Sequence, residues 1–324
     1  MRRRVLPRAH PGRRWCPYGA VLAAVAAGLF GLALPGTAAA GVRPDTCGDS
    51  APARLLLDSG HTTPARPSAG AGDAVAQYKA DHDTEAATLR EYGASTAAAH
   101  EARKLAAGTP AGKSVTVLTS EAALQACAYG AAAEAGTEYT SGPGYAWVDY
   151  LNQQGQWNSY YCGPATVSEM ALTVPGPSWV DQGTAASYMG TDPSSGTTVG
   201  ALVSGLNYYV GVPNYGWNFY SFVWMDYNPT PQQRSNFLAN LQYDVSVNSP
   251  VAGDAWEVAG GPHLIGHPVG QTIFHWFEIG GWSTNTSQVY YADSATSVWS
   301  SVPRYSWQDT YTVASILGGR GYAW

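Results

Sequence analysis

Residues 156–170, QWNSYYCGPATVSEM, decide the fold prediction because they place a cysteine where a helix is expected to begin. Cys162 is followed by Gly163-Pro164-Ala165 and by residues suited to a helix that extends to residue 173. Proline is tolerated in the first turn of a helix, and the free N–H groups and dipole of a helix N-terminus stabilise a thiolate. The pattern therefore predicts a reactive thiol, with a buried structural cysteine as the alternative.

The first 40 residues have the features of an export signal. They contain six arginines and no acidic residue, then the apolar run AVLAAVAAGLFGLAL, and then small residues up to Ala40. The run is shorter than the roughly 20 apolar residues that a membrane-spanning helix needs. We therefore expect residues 1–40 to be a signal peptide and the mature protein to be secreted, with a retained anchor as the alternative.

The charge balance excludes nucleic acid as an expected partner. Without the six signal arginines, eleven basic residues remain against 23 acidic ones. Nucleic-acid binding needs a basic face, which such a composition does not supply. No glycine-rich phosphate loop or dinucleotide fingerprint occurs, so no cofactor is predicted. We expect a monomer that acts on a peptide or protein and has no lipid partner.

An odd number of cysteines would remain after cleavage, namely Cys47, Cys127 and Cys162. Disulfides persist outside the cell, and an odd count leaves one thiol over. The simplest pairing joins Cys47 to Cys127, both in the N-terminal region, and leaves Cys162 free. The closed loop would contribute on the order of 4 kcal/mol to stability in the chain-entropy model.

Composition changes near residue 140 and suggests two parts. Residues 41–140 are rich in alanine and are predicted to be mainly helical, as a pro-region or a helper. Residues 141–324 contain eleven of the twelve tryptophans. Here helices are predicted first, ending with 230–245, and strands afterwards, over 250–256, 271–282, 287–295 and 310–316. This order predicts an α+β domain in which N-terminal helices pack on an antiparallel sheet.

Histidine is the expected base for a thiol, because its pKa lies near neutral pH. The domain contains His263, His267 and His275. His275 lies in the strand FHWFEIGGW, and Asp293 ends the next predicted strand, so antiparallel pairing would bring them together. Asp293 could then orient the imidazole as the third member of a triad. The spacing of His263 and His267 suits zinc, but neither a pair of cysteines nor an HExxH motif accompanies them, so no metal is predicted.

Gln156 precedes the cysteine with five residues between them. A side-chain amide N–H can join the nucleophile's own backbone N–H in binding an oxyanion. Gln153 and Gln154 are nearby alternatives for this role.

The order Gln156, Cys162-Gly163-Pro164-Ala165, His275 and Asp293 resembles that of papain-like cysteine peptidases, and more closely the peptidase family C-thirty-nine-like group, relatives of the bacteriocin-processing peptidases. The resemblance covers about residues 145–315. It implies a papain-like fold and a secreted peptidase. Cys162 would be the nucleophile, His275 the general base and acid, Asp293 the orienting residue and Gln156 the oxyanion donor. One departure is Phe274, at a place where the group often has glycine.

Two other functions remain open on the sequence. The same thioester could pass to an amine, which would make the protein a transpeptidase or a transglutaminase-like enzyme. Alternatively, the dense tryptophan and tyrosine content could serve a cell-wall or glycan-binding module on an inert scaffold, although aromatic residues are also ordinary core material.

Overall fold

The computed structural model describes residues 69–107, 140–142, 144–174, 176 and 179–324. The predicted signal peptide, the predicted Cys47–Cys127 bridge and the predicted strand over 114–119 lie outside these residues. The described residues form a mixed α+β structure with an antiparallel sheet. None of the helices in these residues is long and apolar enough to cross a membrane.

Eight strands within the described ranges form one sheet in which every neighbouring pair is antiparallel. They are β1 (Thr140–Gly142), β2 (Tyr145–Trp147), β3 (Phe222–Trp224), β4 (Val251–Glu257), β5 (Ile273–Ser283), β6 (Gln288–Ala292), β7 (Tyr305–Asp309) and β8 (Gly321–Ala323). The strand order is β1-β2-β5-β4-β8-β3, and β6 and β7 branch from β5. The two longest strands, β4 and β5, pair in the centre and position the site.

In the sequence, helices precede the first strand and also alternate with later strands. They are α1 (Ala69–His82), α2 (Ala86–Ala107), α3 (Cys162–Thr173), α4 (Gln182–Met189), α5 (Val199–Leu206), α6 (Val212–Tyr215), α7 (Pro231–Ser246) and α8 (Thr310–Leu317). A π-helical turn over Asn207–Gly211 joins α5 to α6. The predicted start of α7 is confirmed: Thr230 and Gln233 form a capping box, and Pro231 occupies the first turn.

The central strands alternate between two apolar cores, as side chains of a strand must. On β4, Val251 and Ala255 face one core, whereas Ala252 faces the other. On β5, Phe277 belongs to the first core and Trp276 to the second. The first core is closed by α7 and α8, and the second by α3, α4 and α5. Helix α3 is therefore held directly against the sheet that carries His275.

The predicted strand over 310–316 is wrong, because these residues form helix α8. Its β-branched and aromatic residues favour a strand locally. However, the Asp309 carboxylate accepts hydrogen bonds from the backbone N–H (2.8 Å) and the hydroxyl (2.9 Å) of Thr312, and so caps a helix here. Helical spacing then buries the apolar side chains together: Val313, Ala314, Ile316 and Leu317.

Helices α1 and α2 pack on the C-terminal region through two fully buried lysines. Lys79 Nζ donates to the carbonyl oxygens of Ser315 (3.0 Å), Ile316 (3.2 Å) and Gly318 (2.6 Å), at the C-terminal end of α8. Lys104 Nζ lies 2.5 Å from the buried Asp244 carboxylate on α7. Cations at the C-terminal end of a helix are stabilised by its dipole. The two helices are therefore bound by hydrogen bonds of buried lysines as well as by apolar contact.

Candidate active site

Cys162 occupies the first position of α3 and carries a free thiol. Among the described residues no side chain caps this helix end, so its first backbone N–H groups favour negative charge nearby. The side chain is half-buried, whereas the helix behind it is buried. A Cβ atom on Gly163 would lie 2.4 Å from Thr197 Oγ1, which explains why glycine follows the cysteine.

His275 and Asp293 are brought together by the pairing of β5 with β6. Ala292 lies opposite Glu278, so Asp293 follows the end of β6 beside the strand that carries His275. His275 Nε2 lies 3.0 Å from Asp293 Oδ1, and both side chains are buried. The Asp293 carboxylate also accepts the backbone N–H of Ala295 at 2.8 Å. The histidine and aspartate predicted from the sequence therefore form one hydrogen-bonded pair.

The thiol of Cys162 contacts the same imidazole. Burial by itself would lower the pKa of His275, but the Asp293 carboxylate, followed by the hydrogen bond and charge of Cys162, raises that pKa well above its usual range. Burial by itself would likewise raise the pKa of Asp293, yet His275 and His267 lower it well below its usual range. Electrostatics therefore favour a cationic His275 beside the Asp293 carboxylate.

The loop before Cys162 is tied to the segment that carries Asp293. The Gln153 amide donates to the backbone carbonyl of Asp293 at 2.7 Å, and the Gln156 backbone N–H donates to that of Ser294 at 2.9 Å. Gln156 is buried, and its amide donates to the backbone carbonyl of Asn158 at 2.7 Å. Of the two alternatives, Gln153 thus anchors Asp293, and Gln154 bonds to α3 through Ser168 and Glu169.

Sequence reasoning missed a second histidine on Asp293. His267 Nε2 lies 3.1 Å from Asp293 Oδ2, and its Nδ1 lies 2.8 Å from Oε1 of the buried Glu257. In the sequence, His267 is one of three candidate bases and half of a possible zinc pair with His263, and Glu257 is only an acid beside a predicted strand. His263 instead contacts the backbone carbonyls of Gly261 and Gln271.

The donor atoms of His267, His275 and Asp293 lie within 4.8 Å of one another, a separation at which a metal ion could be held. Each carboxylate oxygen of Asp293 nevertheless faces one imidazole nitrogen at hydrogen-bond distance. Hydrogen bonding thus accounts for the arrangement of these three side chains.

Two buried carboxyl groups lie behind the site, Glu169 on α3 and Glu278 on β5. Burial, and then its proximity to Glu278, raises the pKa of Glu169 well above the usual range, and burial does the same for Glu278. Glu169 Oε1 accepts the backbone N–H of Gln154 at 2.7 Å. These raised pKa values keep the core beneath the helix free of two adjacent negative charges.

No protein-family model matches the sequence, and no curated protein is significantly similar to it. The chemistry of the Cys162–His275–Asp293 arrangement is therefore the basis on which a function can be proposed.

Proposed function

We propose that the protein is a secreted cysteine peptidase of papain-like architecture. The observation that carries the proposal is the contact of Cys162, at a helix N-terminus, with an imidazole that is hydrogen-bonded to Asp293. A nucleophile, a base and a group that orients the base make up the arrangement that acyl transfer needs. The packing of α3 against β5, the strand that carries the base, supports the papain-like comparison.

In the proposed reaction, the Cys162 sulfur attacks a peptide carbonyl carbon and forms a tetrahedral intermediate. The backbone N–H of Cys162 and the side-chain amide of Gln156 would bind the oxyanion. An amide has two N–H donors, and one of those on Gln156 goes to Asn158. His275 then gives its proton to the amine as the C–N bond breaks. Water attacks the thioester, its proton passes to His275, and the thiolate leaves.

The test uses full-length wild-type protein and the variant Cys162→Ala, with dye-labelled casein as a general substrate. We expect wild-type protein to release dye and to be alkylated by iodoacetamide at Cys162, as located by peptide mapping. Cys162→Ala should release no dye and should keep the wild-type circular dichroism spectrum. Iodoacetamide treatment of the variant controls for the other cysteines. Undiminished hydrolysis by a folded Cys162→Ala protein would overturn the proposal.

Transfer of the acyl group to an amine uses the same thioester and differs only in the acceptor. A dansylated primary amine added with unlabelled casein separates the two reactions. Amine-labelled casein that depends on Cys162 would assign the transferase function, whereas new peptide termini without label support hydrolysis.

One surface observation favours the glycan-binding alternative. The exposed rings of Tyr188 and Tyr208 stack with their centroids 4.5 Å apart, and Trp179 is 65% exposed. Aromatic faces of this kind also suit peptide side chains. Binding to insoluble cell-wall polysaccharide, together with no alkylation of Cys162 in the folded protein at neutral pH, would favour this alternative.

For residues 41–140 we propose the helper function over the pro-region. The two lysines of α1 and α2 are fully buried, and Leu89 belongs to the same apolar core as Trp276. Removal of these helices would expose Asp244 and the carbonyl end of α8. Protein that lacks residues 41–139 should therefore lose activity and stability together, whereas a gain in activity would identify a pro-region.

A further inference from the structure

The two oxygens of the Asp293 carboxylate form hydrogen bonds with two different histidines. Oδ1 faces His275 Nε2 at 3.0 Å, and Oδ2 faces His267 Nε2 at 3.1 Å. His267 comes from the loop between β4 and β5, and its own backbone N–H is bonded to the Leu264 carbonyl at 3.1 Å. All three side chains are buried. The carboxylate therefore cannot rotate about its Cβ–Cγ bond without breaking one of the two contacts.

The second nitrogen of His267 faces another carboxylate. Nδ1 lies 2.8 Å from Glu257 Oε1, and neither side chain is accessible to solvent. The contact of Nδ1 with Glu257 is a short-range ion pair and that of Nε2 with Asp293 is a hydrogen bond, so both carboxylates favour the imidazolium form of His267. Burial lowers the pKa of His267, but the two carboxylates outweigh it and raise that pKa.

The surroundings hold this second imidazole in place. The ring of Trp299 packs on His267 with the centroids 5.0 Å apart, and the His275 ring meets it edge-on at 5.2 Å. Glu257 has two further neighbours: His263 Nε2 lies 3.8 Å from Oε2, and the Glu257 carboxylate raises the pKa of Lys79 on α1, against the larger lowering by burial.

We propose that His267, held by Glu257, is a positioning residue for the reaction at Cys162. It fixes the Asp293 carboxylate so that Oδ1 is aimed at His275, and it remains as a cation beside Asp293 when His275 gives up its proton. Without it, the neutral His275 of the acyl-enzyme would leave a buried carboxylate with no cationic partner, which is costly. This inference rests on the proposed function.

The test compares His267→Gln, His267→Ala and Glu257→Gln in the full chain. Iodoacetamide alkylation of Cys162 reports on the thiol and its base without requiring the natural substrate, and dye-labelled casein gives kcat and KM. A matched control is His100→Gln. His100 is also a buried histidine, but its Nε2 contacts the Trp324 carbonyl at 3.2 Å and its ring packs on tryptophans.

We expect His267→Ala to lower kcat on the order of 10- to 100-fold, because a misplacement of about 1 Å in a catalytic group can cost about 100-fold. KM should stay within about twofold, because His267 is buried behind Asp293. Alkylation of Cys162 should slow about tenfold or more by the same reasoning. His267→Gln, which keeps one donor for Asp293, should lose less, and Glu257→Gln should lie between them. His100→Gln should alkylate at the wild-type rate.

Wild-type kcat and alkylation rate in folded His267→Ala would overturn the inference. If His267→Ala does not fold, the test rests on His267→Gln. Should Cys162 in that variant be alkylated no more slowly than in His100→Gln, at equal thermal stability, then His267 has only a structural role and the inference is overturned. The two proposals fail separately. Hydrolysis by Cys162→Ala would remove the proposed function, whereas an inactive Cys162→Ala with normal His267 variants would remove only the positioning.

Discussion

Lys104 and Asp244 form a buried ion pair whose disruption tests how α2 is bound. The pair is 2.5 Å long and wholly inaccessible to solvent. The Lys104 ammonium also lies over the rings of Phe219 and Trp324, 4.0 and 4.2 Å from their centroids. Lys104→Met removes the charge and keeps most of the side-chain volume, and Asp244→Asn removes the opposite charge at nearly constant shape.

Removal of one partner from a buried pair typically costs about 3–5 kcal/mol, because it leaves the other charge buried and uncompensated. We therefore expect each single variant to lose about that much free energy of unfolding. The double variant, which leaves no buried charge, should lose no more than either single variant, so the coupling energy should be about 3 kcal/mol or more. Burial raises the pKa of Asp244 to about 6. The cost of Lys104→Met should therefore be smaller at pH 5, where the unpaired carboxyl is protonated, than at pH 8.

Urea unfolding followed by tryptophan fluorescence measures these energies, and equal m-values across the four proteins show that the same structure unfolds. Additive losses below about 1 kcal/mol for each single variant would match an exposed pair rather than a buried one, and would refute the binding of α2 through Lys104.

The other predictions concern the second lysine and the site. Burial lowers the pKa of Lys79 from 10.5 to about 7. Between pH 7 and 10.5 the lysine therefore carries a proton in the unfolded chain but not in the folded one, so the free energy of unfolding should rise with pH by at most about 1.4 kcal/mol per pH unit. Lys79→Met should flatten this rise, as measured by urea unfolding. Asp293→Ala should lower kcat by about 10⁴-fold, because no group then holds His275 in its donating orientation; casein kinetics within tenfold of wild type would contradict this. Gly163→Ala should reduce stability and alkylation of Cys162 together, since the new methyl group meets Thr197, and a wild-type melting temperature would refute the close contact. Activity should survive EDTA and stop with iodoacetamide; loss of activity in EDTA that zinc restores would assign a metal to the histidines instead.

Much of the α+β architecture could be predicted from local signals. The turn before Cys162 predicts the start of α3, and the Thr-Pro pair at 230–231 predicts the start of α7. The apolar strands β4 and β5 were likewise predicted within about two residues. These features depend on caps, proline and short apolar runs, which act over a few residues. The juxtaposition of His275 and Asp293 follows from the antiparallel pairing of adjacent strands.

The features that escaped prediction depend on contacts that are distant in sequence. Helix α8 is helical because Asp309 caps it and because its apolar side chains face a core built by other elements. His267 meets Asp293 across 26 residues, and Glu257 completes the set from another strand. No local pattern marks a histidine whose partners come from separate elements, so only the folded chain reveals this group.

The buried lysines of α1 and α2 have a consequence for limited proteolysis. Residues 108–139 connect these helices to the rest of the chain, and among the described residues Lys79 and Lys104 bind the helices to α8 and α7. A single cut between residues 128 and 139, after both Cys47 and Cys127, should therefore give two fragments that stay together without a covalent link. The protein would then behave as a two-chain complex, in which activity, stability and sedimentation all persist until the lysine contacts are broken.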